Sequence, residues 1–135
     1  MNVNKLSNSF SVSSQIALED IKFLGDLGYR SIIICRPDGE EGQPSFQEIS
    51  VTAASMGIDV AYSPLPMGES PMEALPGFKM SMSKLKGPTL GYCKSGMRSC
   101  LLWALSQKGE QSADQIISSV QSAGFNIERL RPLLG

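Results

Sequence analysis

The sequence predicts an α/β fold: a central, mostly parallel sheet flanked by helices. Two observations carry this expectation. Short β-branched or apolar runs alternate with helical patterns along the 135 residues. One such run, Thr89–Tyr92, leads through Cys93-Lys94-Ser95-Gly96-Met97-Arg98-Ser99 into another helical pattern. That places a cysteine at the carboxyl end of a strand and an arginine at the mouth of a helix, where open parallel sheets bind their ligands. The length suits one domain, residues 1–135, with a core of real size.

Taken in order, Phe10–Ser13 reads as a short edge strand. Ile16, Ile21, Leu24 and Leu27 fall near one helical face, and Gly28 supplies a stop. Arg30–Cys35 is a continuous β-branched run, the pattern of a strand buried on both faces. Arg36–Pro44 is a loop by composition. Ser45, with Glu48 three residues on, forms a capping box that opens a helix ending near Gly57. Ile58–Tyr62 is the next strand, and the Pro- and Gly-containing stretch Ser63–Gly77 follows it. Pro76 and Gly77 set the expected start of a helix over Phe78–Leu85. The strand Thr89–Tyr92, the cysteine loop and a helix over Ser99–Gln107 come next. Ser112 and Gln115 make a second capping box, with Ile116, Ile117, Val120 and Ala123 as its apolar stripe. Ile127–Leu134 is a terminal helix or turn.

Composition narrows the function. A net charge of −1 gives no basic excess for nucleic acid and no bias toward a membrane surface. No apolar stretch approaches a membrane span, and Met1–Leu6 has no apolar signal core. Three widely spaced cysteines, Cys35, Cys93 and Cys100, make no disulfide framework and suit a reducing, cytoplasmic setting. There is no histidine. Ser-His-Asp and Cys-His mechanisms are thereby excluded, and no metal or other cofactor is called for. A nucleophile in this chain must be activated by backbone dipoles and cations.

The Cys93–Ser99 loop offers that activation. Consecutive backbone N–H groups, here those of Lys94, Ser95, Gly96 and Met97, can cradle an anion over the positive end of a helix dipole. A thiol held there is favoured as the thiolate, the nucleophilic form. Arg98 can grip an oxyanion through two parallel hydrogen bonds. Gly96 suits a positive-φ turn, and Ser99 can donate to the thiolate. Cys35 and Cys100 read as packed core thiols, with a resolving role for Cys100 as the alternative. Trp103 and the methionines Met67, Met72, Met80 and Met82 read as core or pocket lining, with Met67 and Met72 near a substrate mouth.

Two families share the loop. Tyr92–Ser99 resembles the rhodanese (sulfurtransferase) loop, with four residues between cysteine and arginine. Cysteine-dependent phosphatases have five there and usually a histidine where this chain has Tyr92. The flanks resemble a different group. Ile32-Ile33-Ile34-Cys35-Arg36-Pro37-Asp38-Gly39-Glu40-Glu41, then Gln43-Pro44, together with Phe10–Ser13 and the loop, is similar to the phosphatase-like domain of bacterial beta-lactamase hydrolase-like proteins. That resemblance covers roughly Leu6 to Leu105 and implies a fold like the dual-specificity protein tyrosine phosphatases.

The resemblance leaves two chemistries open. In a phosphatase, Cys93 attacks phosphorus and Arg98 binds the oxyanion. In a sulfurtransferase, Cys93 carries a persulfide. A non-catalytic module that binds an oxyanion or a partner is the third reading. The partner expected throughout is a small oxyanion, a phosphoester or a persulfide, with no nucleic acid or membrane involved. A phosphatase needs a general acid, which related enzymes place as an aspartate in the loop after the strand that precedes the cysteine strand. Here that loop holds only Glu69, and Asp38 on the Arg36–Pro44 loop is the other candidate. On sequence alone the Pro-Asp-Gly turn reading of Asp38 is the stronger one, and Glu40 and Glu41 read as a solvated acidic loop. Arg36 is expected to orient Asp38 or to serve as a second anion contact.

Overall fold

The computed structural model describes all 135 residues. Its sheet has five strands: β1 (Val3–Lys5), β2 (Phe10–Ser13), β3 (Ser31–Ile34), β4 (Asp59–Tyr62) and β5 (Thr89–Tyr92). They lie in the order β1-β2-β5-β3-β4. Only the β1–β2 pair is antiparallel. The helices are α1 (Asp20–Asp26), α2 (Phe46–Ala54), α3 (Pro71–Lys84), α4 (Met97–Ser106), α5 (Ala113–Ser122) and α6 (Arg131–Leu134), with a 3-10 turn at Glu128–Leu130.

Strand alternation divides the interior into two cores. Ile32, Ile34, Leu90 and Tyr92 face Ile21 and Leu24 of α1 and Ile49 and Ala53 of α2. Ile33, Cys35, Phe10, Val12 and Cys93 face the other way, toward α3 to α6. The buried run Ser31–Cys35 serves both sides at once, which explains why it lacks a polar face. Gly91 points into the second core. A Cβ there would lie 2.7 Å from Phe10 Cζ and 3.4 Å from Ile33 Cγ2. The Phe10 ring cannot retreat, because it stacks on Trp103 and meets Phe78 edge-on.

Both capping boxes form, at Ser45/Glu48 and Ser112/Gln115. Four expectations shift. The strand Phe10–Ser13 is not an edge strand, because the preceding Val3–Lys5 pairs along it. Helix α1 starts at Asp20, whose carboxylate accepts the Ala17 N–H at 2.8 Å; Ile16 is buried ahead of the helix. Leu27 lies 56% exposed, roughly a quarter turn off the line through Ile21 and Leu24. Helix α3 begins at Pro71, seven residues ahead of Phe78, and contains Pro76. Ser70 accepts the Met72 N–H and Pro71 sits at the first helical position; together these outweigh the one intrahelical bond that Pro76 removes.

Gly91→Ala is expected to lower stability by about 1–3 kcal/mol through overpacking. Urea unfolding followed by circular dichroism measures this, and an unchanged midpoint would refute the close approach to Phe10.

Candidate functional site

Register brings the site together. β3 and β5 pair Ile34 with Tyr92, and the Cys35 N–H donates to the Tyr92 carbonyl at 2.9 Å. Cys35 and Cys93 therefore leave the sheet as neighbours. After Cys93 the chain turns through Lys94 and Ser95 to Gly96, whose φ of 99° is open to glycine but strained for other residues. A Cβ at Gly96 would also lie 3.0 Å from Phe125 Cζ and 3.4 Å from the Ser13 carbonyl oxygen. The Gly96 N–H donates to Cys93 Sγ at 3.1 Å. The Lys94 carbonyl accepts the Gln15 N–H at 3.2 Å, and Ser95 Oγ accepts the Met97 N–H at 3.3 Å. Met97 then opens α4, buried along almost its whole length.

Arg98 is buried in the first turn of α4. Its Nη1 donates to Glu40 Oε2 at 2.7 Å and to the Leu65 carbonyl at 3.0 Å. Its Nη2 donates to Glu40 Oε1 at 2.9 Å. A guanidinium carries five N–H donors. These three bonds use the end of the fork and leave the edge formed by Nε and the second Nη2 hydrogen without a protein acceptor. That edge has the two parallel donors that a bidentate oxyanion contact requires.

Glu40 is the hinge of the site. Besides holding Arg98, its Oε1 accepts Arg36 Nε at 2.9 Å. Arg36 Nη1 donates to Gln15 Oε1 at 2.9 Å and Nη2 to the Glu41 carbonyl at 2.7 Å. One carboxylate is thus shared by two buried guanidinium groups. Hydrogen bonds from Arg98 hold the Glu40 carboxyl below its usual value of 4.5, with Arg36 adding to the effect. The same pairing raises Arg98.

A cavity of about 420 Å³ opens beside this network. Its lining includes Lys94, Ser95, Met97 and Arg98 from the loop and helix, and Leu65 to Glu69 from the loop after β4. Cys93 is fully buried and is not among the lining residues. It lies behind the loop that closes on its sulfur.

The sequence-derived candidates separate on this geometry. Lys94, Ser95, Met97 and Arg98 reach the cavity, and Gly96 shapes the loop behind it. Asp38 does not reach it. Its Oδ1 accepts the Phe46 N–H at 2.8 Å, and its own N–H donates to Tyr62 Oη at 3.0 Å, so it is a turn residue tethered to the start of α2. Arg36 neither orients Asp38 nor faces the cavity; it anchors Glu40 and the loop. Ser99 is fully buried with its hydroxyl unpaired, and no hydrogen bond joins it to Cys93. Glu69 does line the cavity. Among the methionines, Met67 stands at the mouth, while Met72 and Met80 are exposed away from it. Burial pushes the Cys35 and Cys100 thiols up to about 12. Sequence reasoning missed Glu40 and Gln15. A buried arginine at a helix start demands a carboxylate partner, and that was the one available signal for Glu40.

A family model described as beta-lactamase hydrolase-like protein, phosphatase-like domain, matches residues 2–118. The chain belongs to that family. A beta-lactamase hydrolase-like protein of Xylella fastidiosa is 31% identical over 133 residues, which is 96% of this chain and 31% of the relative. This phosphatase-like domain thus spans about a third of its curated relative's length. Among solved structures, a candidate phosphatase of Neisseria meningitidis is 31% identical, with a TM-score of 0.84, covering 99% of this chain and 96% of its own. The core catalytic domain of a PP-IP phosphatase from S. cerevisiae, at 20% identity and a TM-score of 0.65, covers 93% of this chain and 76% of its own, and shares the fold. The resemblance to the phosphatase-like domain and the protein tyrosine phosphatase-like α/β fold are both established. No helix of the family member is long and apolar enough to cross a membrane.

Glu40→Gln is expected to destabilise the domain by about 2–3 kcal/mol at pH 7, below the roughly 3–5 kcal/mol of breaking a fully buried pair because Glu40 stays partly exposed. A carboxyl lowered by folding contributes stability that is present above its unfolded value and lost as pH falls through the folded value. The gap between wild type and Glu40→Gln in urea unfolding should therefore narrow as pH falls below 4.5. A gap independent of pH between 7 and 3 would refute the assignment.

Proposed function

We propose that this domain is a cysteine-dependent phosphatase acting on a phosphoester, with Cys93 as nucleophile and Arg98 as oxyanion ligand. The observation that carries it is the open Nε/Nη2 edge of an arginine whose other donors are clamped by Glu40 and Leu65. A clamped guanidinium needs little reorganisation when charge develops on a transferring phosphoryl group. Membership of a phosphatase-like family supports the same reaction class.

In this reading the phosphoryl group enters from the cavity and meets the Arg98 edge. The Lys94–Gly96 segment moves off the sulfur, and its N–H groups turn to the phosphoryl oxygens. The Cys93 thiolate forms a bond to phosphorus as the bond to the ester oxygen breaks. Glu69, from the loop facing Arg98, protonates the departing oxygen. Water then attacks the phosphocysteine, giving its proton back to Glu69, and the thiolate leaves with inorganic phosphate released. Glu69 replaces Asp38 as the acid because it borders the cavity and Asp38 does not. The relatives described above are phosphatase-like, so the sulfur-transfer alternative gains no support from them.

Wild-type protein should release phosphate from 4-nitrophenyl phosphate, and Cys93→Ser should abolish release while leaving the circular dichroism spectrum unchanged. Persistence of activity in Cys93→Ser would refute the nucleophile. Glu69→Gln separates the acid. Nitrophenolate leaves without protonation, so its initial burst should be nearly insensitive, while hydrolysis of the phosphocysteine slows for every substrate. An alkyl phosphate should lose roughly 10²-fold or more in kcat. Equal losses in the first, phosphoryl-transfer step on both substrates would argue that Glu69 is not the acid.

A further inference from the structure

The geometry points to a second anion subsite at the cavity mouth, formed by Lys94 and Arg129, which selects phosphoesters whose organic part carries a second phosphate or other anionic group. The inference deepens the phosphatase reading and rests on it.

The charges around the cavity are unequally satisfied. Arg36 and Arg98 share Glu40, and Arg131 is held by Asp114 at 2.6 Å and Glu128 at 2.7 Å. Lys94 and Arg129 form no ion pair with any carboxylate. The one hydrogen bond of the Arg129 side chain is a long 3.5 Å contact to the Asn126 carbonyl. Both residues border the cavity, and Glu69 is the only acid that does so. The mouth therefore carries two unpaired cations against a single acid.

The fold aims Arg129 there. Ile127, Leu130 and Leu134 are buried in the core on the α4 side of the sheet, so the 3-10 turn cannot rotate freely. Glu128 is engaged by Arg131. Arg129 is left on the remaining side of the turn, over the cavity. It falls outside residues 2–118, so the segment that defines the family match does not contain it. Leu65, Pro66, Met67 and Leu101 supply apolar lining for the carbon body of a ligand. Arg98 is buried at the cavity and the two exposed cations stand at its rim. A ligand with one transferable phosphate and one distal anion engages both.

The test uses the Cys93→Ser chain, titrated calorimetrically at low salt with fructose 1-phosphate and fructose 1,6-bisphosphate. The bisphosphate should bind about tenfold more tightly, the scale of one charge-assisted contact. Arg129→Ala in the same background should collapse that ratio toward one, and added salt should erode it, as screening demands of exposed charges. Equal affinities, or a preference that survives Arg129→Ala, would overturn the subsite. Phosphate release from 4-nitrophenyl phosphate by wild type is scored separately. Turnover without a bisphosphate preference removes the subsite and leaves the phosphatase reading intact. A bisphosphate preference without turnover of either sugar phosphate or the aryl ester removes the phosphatase reading and, with it, the substrate selection proposed here.

Discussion

One carboxylate held between two buried guanidinium groups organises the functional end of this domain. Glu40 cannot leave without stranding Arg36 and Arg98 together in a largely water-free setting, where unpaired charge is costly. Through Arg36 the carboxylate reaches Gln15 and the Glu41 backbone; through Arg98 it reaches Leu65 and α4. The loops after β2, β3 and β4 thus meet at one ionic junction. What each loop would do in isolation is secondary to that shared requirement. Such a junction adds little stability beyond what well-packed apolar residues could provide; its contribution is to specify one arrangement of loops and one orientation of Arg98.

Beneath the junction, the sheet does the positioning. The β3–β5 register sets Cys35 beside Cys93, and Gly91 lets the Phe10 ring cross the strand that carries the nucleophile candidate. Packing and chemistry are therefore coupled along β5. A methyl group added two residues before Cys93 disturbs the stack of Phe10 on Trp103, which lies in α4 with Arg98. The absence of histidine fits this design. Charge control here rests on fixed cations, a carboxylate and backbone N–H groups rather than on an imidazole that titrates near neutrality.

Local signals were legible in the sequence. The β-branched run before Cys35, both capping boxes and the strand–loop–helix passage through Cys93 rest on neighbouring residues, and each formed. The departures share a different origin. Pro76 suggested a late helix start because a proline rule is local, while the cap that overrode it lies six residues upstream. Glu40 read as part of a solvated acidic loop because its partner Arg98 is 58 residues away. Residue type makes Asp38 and Arg36 candidates for chemistry, and for Asp38 the turn reading is the one that holds. Their hydrogen bonds to Phe46, Tyr62, Gln15 and Glu40 depend on tertiary contacts that no sequence window contains. Arg129 stayed invisible for the same reason.

The burial of α4 has a dynamic consequence. From Arg98 to Leu105 every residue is buried, so the amide protons bonded within this helix, from Cys100 onward, exchange through openings that disrupt the main core. The end of the site that carries Arg98 belongs to the most thoroughly buried helix of the domain. Motion that admits a ligand must then come from the opposite bank, where Met67, Gly68 and Glu69 are exposed, and from the exposed Lys94–Ser95 tip with the Gly96 turn behind it. The molecule divides its labour between a rigid anvil and a compliant rim.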